Sequence, residues 1–243
     1  MVENKLLTVR QDIKKIDMEI KMYPAFSEVF TNNDLLGIFY PLCSVENQLH
    51  FVSSNGLWMD EQYKTESNTF EYTMFELKNG KYDFKGDIRL YKGYDDAKKM
   101  FSILENDFNI NGNNYLTNKL KTDFYIAEIK KILSSQISAD IDLAYYLQTF
   151  YEFNINKLNY NLNGKFGEFS FFMKGYCKHD KSPIVYEKGY RGIEETLQGK
   201  IEIIKDYSEI GTVVGYEFFT DGNDSVLFYN EKENKVLSVN CYS

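Results

Sequence analysis

The amino-acid sequence predicts an α+β protein in which antiparallel β-sheets pack against a central group of helices. Strand-like texture occupies residues 35–91 and 200–241, and helical periodicity lies between them. The order helix, strands, helices, strands differs from the strict βαβ alternation of a doubly wound fold. We therefore expect N-terminal hairpins and a C-terminal four-strand meander as the two β-rich parts.

The 243 residues are enough for one large domain or two small ones. Residues 1–115 would contain a helix, antiparallel strands and a second helix. Residues 116–243 would contain a helical segment followed by the C-terminal meander. A single domain containing both parts is the alternative.

An amphipathic helix is predicted at about residues 3–22. Its apolar stripe repeats at alternating spacings of three and four and consists of Leu6, Val9, Ile13, Ile16 and Ile20. A coiled coil needs about 3–4 heptads, which exceeds the length of this stripe. A helix docked on its own domain is therefore favoured over a partner-binding helix.

The N-terminal strands are predicted at residues 35–42, 49–52, 57–59, 69–78 and 81–91. Two Asn-Gly pairs, at 55–56 and 79–80, are typical of hairpin turns because both residues tolerate positive φ. In the last strand, apolar residues alternate with charged ones, which predicts a half-buried antiparallel strand. The apolar set is Tyr82, Phe84, Ile88 and Leu90.

The middle of the chain is predicted to be helical. Asp95 or Asp96 can cap a first helix, which residues 109–114 would break. A second helix is expected at 117–133, with Leu120, Phe124, Ala127 and Ile132 among its apolar positions. Ser138 resembles the cap of a third helix that reaches about residue 150. Residues 154–163 fit either a continued helix or a strand.

The C-terminal meander is predicted from four short strands joined by polar turns. The first contains Ile201 and Ile203, and the others lie at residues 212–219, 226–229 and 237–241. Such a sheet must bury one face against another layer, and the upstream helices are the expected cover.

Composition and charge favour a soluble cytoplasmic protein. Hydrophobic residues make up 43% and charged residues 26%, and the net charge is −8. Such a charge disfavours nucleic acid and anionic lipid as partners and permits a basic protein. Three widely spaced cysteines fit reduced thiols better than disulfides. We expect neither a signal peptide nor a membrane span, and the residue usage is typical of an AT-rich bacterial gene.

Residues 107–112 resemble the start of a calcium loop of the EF-hand type. Asp107, Asn109 and Asn111 would supply oxygen ligands, and Gly112 would allow the sharp turn. The twelfth position is Asn118, which cannot provide the bidentate carboxylate of such loops. The favoured interpretation is a helix end with Gly112 near its C-cap, and no metal is expected.

Two further groups of residues are weak candidates for catalysis. Cys177, His179 and Asp180 bring a thiol, an imidazole and a carboxylate into one polar loop, although catalytic pairs usually come from separate segments. His50 lies in a predicted strand, where Cys43 could face it across a hairpin. For both groups a packed or surface role is favoured over catalysis.

The function predicted from these observations is a non-catalytic interaction protein that binds a basic protein partner, as toxin-immunity proteins do. Surplus negative charge and the absence of catalytic motifs carry this prediction. One alternative is a hydrolase that uses His179 with Cys177 or Asp180. Another is a small-ligand binder with a tyrosine-lined pocket between sheet and helices. No cofactor is expected.

Overall fold

A computed structural model describes residues 20–46, 48–137, 141–164, 184–185, 201–213, 215 and 218–241. It confirms the α+β class, with two antiparallel sheets and three long helices. Most of the predicted N-terminal helix lies outside the described residues. The last three residues of that predicted helix form a strand instead, because they pair with the strand at 40–45.

The small sheet has three antiparallel strands, β1 (Ile20–Met22), β2 (Tyr40–Val45) and β3 (Leu49–Ser53), in that order. A four-residue helix, α1 (Phe26–Val29), follows β1. The predicted strand at 35–42 begins later than expected because residues 35–38 form a turn. Gly37 has a φ of 78° in this turn, which lies outside the strand region, and it packs closely against the backbone of Ala97.

The large sheet contains β4 (Tyr72–Lys78), β5 (Lys81–Phe84), the two-residue β6 (Ile184–Val185), β7 (Ser208–Val213), β8 (Asp224–Asn230) and β9 (Lys235–Cys241). The strand order is β5-β4-β9-β8-β7-β6, and every pairing is antiparallel. Pairing between β4 and β9 brings both strand-rich parts into one sheet. The division of the chain at residue 115 stays a prediction.

One predicted hairpin is confirmed and the other is wrong. Asn79 and Gly80 both have positive φ, at 53° and 75°, and connect β4 to β5. Asn55 and Gly56 also form a turn, but an isolated bridge between Met59 and Tyr91 replaces the expected second strand.

The first strand of the predicted meander is instead a 3-10 helix, Ile201–Ile204. Ile203 and Ile204 both pack against the same apolar cluster. Consecutive residues of a strand would point to opposite faces of the sheet, so a strand could not place both there. The strand next to β7 is β6, which completes four antiparallel strands in sequence order.

The long helices are α2 (Tyr94–Thr117), α3 (Lys119–Ser134) and α4 (Leu143–Asn163). The predicted break at 109–114 is wrong, because α2 continues through Gly112 to bury Tyr115 against the core. The ambiguous residues 154–163 are helical, and α4 ends at Gly164 in the left-handed conformation. Ser138 is outside the described residues, and Asp142 caps α4.

Both faces of the large sheet are apolar. One face joins the main core, where the ring centroid of Phe75 lies 5.6 Å from that of Phe39 and 4.9 Å from that of Tyr82. The opposite face forms a second cluster that includes Val226 and Val239. None of the described helices has an apolar stretch long enough to span a bilayer.

Candidate functional site

The three residues of the predicted hydrolase centre, Cys177, His179 and Asp180, lie outside the described residues. Their proximity to one another stays a prediction.

The predicted calcium residues lie in the interior of α2, where the backbone is helical and forms no loop. One carboxylate oxygen of Asp107 accepts a hydrogen bond from the Asn111 amide at 2.9 Å. The other accepts from the hydroxyls of Tyr115 at 2.5 Å and Tyr151 at 2.6 Å. Burial and this carboxylate raise the pKa of both tyrosines, which therefore stay protonated donors. The cluster ties α2 to α4, and a calcium loop would require α2 to open.

His50 is buried in the small sheet, and strand pairing places it opposite Ser44. The prediction that Cys43 faces it is wrong, because Cys43 pairs with Phe51. His50 Nε2 lies 2.8 Å from the carbonyl oxygen of Gly80, and Nδ1 lies 2.7 Å from Ser44 Oγ. A carbonyl only accepts, so Nε2 carries the proton and Nδ1 accepts from the serine. Burial lowers the pKa of His50, and the whole arrangement is that of a structural histidine.

Two exposed apolar side chains lie one turn apart near the start of α3, and we call this surface the α3 face. Leu120 is 82% exposed and Phe124, one turn later, is 61% exposed. Ile132 is half exposed two turns further on. Of the described side chains of α3, only Thr122 and Leu133 are fully buried.

The α3 face also differs from the rest of the chain in charge. The helix carries two carboxylates and four lysines, Lys119, Lys121, Lys130 and Lys131. Lys131 forms an ion pair with Glu128 on the same helix, at 2.5 Å. With four lysines against two carboxylates, the helix that carries the face has two surplus positive charges in a chain of net charge −8.

A cavity of about 220 Å³ lies between the loop after β3 and the start of α4. On the side of the large sheet it is bounded by the start of β8 and the end of β9, which pair with each other. Trp58, which is 58% exposed, lies at this cavity with its ring centroid 5.3 Å from that of Tyr145. Polar side chains also line the cavity. They are Ser54, Asn55, Asn223 and Asn240.

Comparison with protein-family models, curated proteins and solved structures gives no match.

The sequence reasoning did not identify the α3 face or the cavity. A signal for the first was present, because apolar residues occupy more than one side of α3 and a helix on a surface can bury only one side. Trp58, the single tryptophan, follows a turn and precedes polar residues, which is a weaker signal.

Proposed function

We propose that the chain is a non-catalytic protein-interaction module and that the α3 face is its docking surface. The observation that carries the proposal is the exposure of Leu120 and Phe124 on successive turns of one helix. Contiguous exposed apolar side chains mark contact sites, whereas single scattered ones are normal, and these two are neighbours. The composition favours the interaction role, including its immunity-type form, and the exposed apolar side chains of α3 support it.

The charge of the α3 face favours a partner segment that is acidic and apolar. Net charge alone favours a basic partner, but charges more than about 10 Å apart are largely screened at physiological salt. The lysines beside the apolar residues therefore govern the contact. Several exposed carboxylates elsewhere already have a lysine partner, such as Asp34 with Lys98 at 2.7 Å.

A protein partner is favoured over an anionic membrane on two grounds. A membrane is flat and extended, so an anionic one would repel a chain of net charge −8, whereas a protein can contact the face alone. The apolar contact is also small, and stable insertion into an interface needs a longer apolar stripe.

A cytoplasmic location is part of this proposal. Cys43 is a buried thiol without a disulfide, and three widely spaced cysteines suit a reducing compartment.

The test uses a photocrosslinking amino acid, p-benzoylphenylalanine, at position 124 or at position 162. Leu162 lies on α4 and is 62% exposed, so it matches Phe124 in exposure without belonging to the α3 face. We expect a protein partner that crosslinks from position 124 and not from 162 in cells that produce the chain. The crosslinked segment of that partner should be rich in acidic and apolar residues.

Affinity for the captured partner is then measured by calorimetry. Burying one leucine or phenylalanine is worth about 1.5–3 kcal/mol when it starts fully exposed. Scaled by the exposure of the two side chains, this gives about 2–4 kcal/mol, so we expect Leu120→Ser with Phe124→Ser to weaken binding by about thirtyfold to a thousandfold, and Leu162→Ser to leave it unchanged. Lys121→Glu with Lys130→Glu should weaken it further at low salt.

Three outcomes would contradict the proposal. The first is equal crosslinking from both positions. The second is binding to phosphatidylserine vesicles without any protein partner. The third is crosslinking of the chain to itself alone, measured together with the mass in analytical ultracentrifugation.

A further inference from the structure

The cavity beside Trp58 has the chemistry of a small binding site. Its volume of about 220 Å³ exceeds the roughly 150 Å³ of a cavity that binds benzene, so it suits one small ring with its substituents. It lies between sheet and helix, where an alternative reading of the sequence placed a tyrosine-lined pocket. Tyr145 is the tyrosine present, and Trp58 adds the larger aromatic surface.

The aromatic platform is held in place although it is exposed. The indole Nε1 of Trp58 donates to Asp142 Oδ2 at 3.4 Å, and the Tyr145 backbone N–H donates to Oδ1 of the same carboxylate at 3.1 Å. The backbone carbonyl of Trp58 also accepts from the Lys92 N–H at 2.8 Å. The cap of α4 thus holds the Trp58 ring and the backbone of Tyr145, which lowers the entropy lost when a ligand binds.

Asn55 provides a second and independent observation. The residue lines the cavity, is 7% exposed, and its amide nitrogen has no hydrogen-bond partner among the described residues. A buried donor without a partner costs roughly 1–3 kcal/mol, so such groups are uncommon in folded proteins. The nitrogen is itself shielded from solvent, and a rotation of the Asn55 amide toward the cavity would bring it to an acceptor supplied by a ligand and remove this cost.

The polar lining identifies the class of ligand. Of the described residues that line the cavity, none carries a charge, which disfavours phosphates, carboxylates and amines. Three side-chain amides and one hydroxyl can each donate and accept hydrogen bonds. Hydroxyl groups of a sugar have the same double capacity. The C–H bonds on one face of a pyranose ring suit the negative face of an indole.

We propose that the cavity beside Trp58 binds a neutral carbohydrate ring, with Trp58 and Tyr145 as the stacking platform and Asn55 as a hydrogen-bond donor. Asn223, Asn240 and Ser54 would contact the remaining hydroxyls. Because the cavity is small, a dissociation constant on the order of millimolar is expected for a single ring, and a tighter one for a disaccharide. This site is separate from the α3 face.

The experiment uses the full chain and the fluorescence of its single tryptophan. Glucose, galactose, N-acetylglucosamine, cellobiose and maltose are each titrated to about 100 mM, a concentration well above the expected millimolar constant. Adenosine, uridine and glucose 6-phosphate are titrated in parallel. We expect a saturable change in Trp58 emission with at least one neutral sugar. Nucleosides and the phosphorylated sugar should bind more weakly.

Two asparagine variants separate binding from structure. Asn55→Ala should weaken sugar binding about tenfold while leaving the thermal midpoint unchanged or raised, because it removes an unpartnered buried donor. Asn161→Ala changes an exposed asparagine on α4 outside the cavity and should alter neither quantity. Leu120→Ser with Phe124→Ser should leave sugar binding intact, so this proposal and the docking proposal fail independently.

The carbohydrate proposal is overturned if no neutral sugar gives a saturable change. Tighter binding of a nucleoside or of glucose 6-phosphate than of any neutral sugar would also overturn it. A third contrary result is equal sugar affinity in the wild type and Asn55→Ala.

Discussion

Acidification below about pH 6.5 is expected to destabilise the folded chain through His50. The folded protein holds the imidazole neutral, because Nε2 donates to the Gly80 carbonyl and Nδ1 accepts from Ser44. Burial lowers the pKa of His50, and the nearby charges of Glu28 and Lys21 act on it in opposite directions. In the unfolded chain the pKa returns to about 6.5. The free energy of unfolding is therefore constant above about pH 6.5. It decreases as the pH is lowered further, because the unfolded state then binds a proton that the folded state does not bind.

The size of the effect follows from one proton. A difference of one bound proton gives a slope of at most about 1.4 kcal/mol per pH unit. Integration from pH 7 to 5.5 against an unfolded pKa of about 6.5 gives an upper limit of about 1.3 kcal/mol. For a chain of 243 residues this corresponds to a decrease of about 2–3 °C in the thermal midpoint.

The measurement is urea unfolding at several pH values between about 7 and 5.5, a range above the ordinary pKa of the carboxylates. The chain has two histidines, so His179→Gln is the matched control for His50→Gln. Glutamine at position 50 can still donate to the Gly80 carbonyl but does not titrate. We expect the slope to disappear in His50→Gln and to persist in His179→Gln. The opposite pattern would refute the assignment of the slope to His50.

Three other changes have expected outcomes. Asp107→Ala should lower the free energy of unfolding, measured in urea, by about 2–4 kcal/mol, because two tyrosine hydroxyls lose a charged acceptor. The control Asn109→Ala, on the exposed side of α2, should change it by less than about 0.5 kcal/mol. Equal losses in the two variants would contradict this expectation. Gly37→Ala should lower the free energy of unfolding by at least about 2 kcal/mol, and Gly164→Ala by about 1 kcal/mol, as measured by calorimetry. Both glycines have positive φ, but only at position 37 would a Cβ clash, at 2.7 Å from a tyrosine hydroxyl and 2.9 Å from a helix carbonyl oxygen. Burial raises the pKa of the Cys43 thiol, so iodoacetamide should label it in denaturant and hardly at all in the folded chain. Peptide mass spectrometry measures the labelling, and rapid labelling of the folded chain would refute the burial of Cys43.

Short-range signals predicted the fold class well because they depend on neighbouring residues. Asn79-Gly80 requires only local φ values, and the alternation of residues in β9 needs only a sheet with buried faces. The break expected at residues 109–114 was wrong because hydrogen bonds to Asp107 and the packing of Tyr115 outweigh the low helix propensity of asparagine and glycine.

The candidate sites were harder to predict because they depend on exposure and on contacts distant in sequence. Leu120 and Phe124 looked like core positions, and only the placement of α3 at the surface shows them to be exposed. The cavity is lined by Trp58, by Tyr145, which lies 87 positions later in the sequence, and by Asn240 near the end of β9. No local pattern relates such residues to each other.

Insertion of β9 between β4 and β8 affects how the protein is made on the ribosome. One edge of β4 stays unpaired until residues 235–241 have been synthesised, more than a hundred residues later. Until then the nascent chain exposes unpaired backbone groups beside an apolar surface. Such a state is prone to aggregation and is bound by chaperones. Closure of the sheet is thus a late and long-range event, and we expect folding to be slow relative to that of helical proteins of the same length.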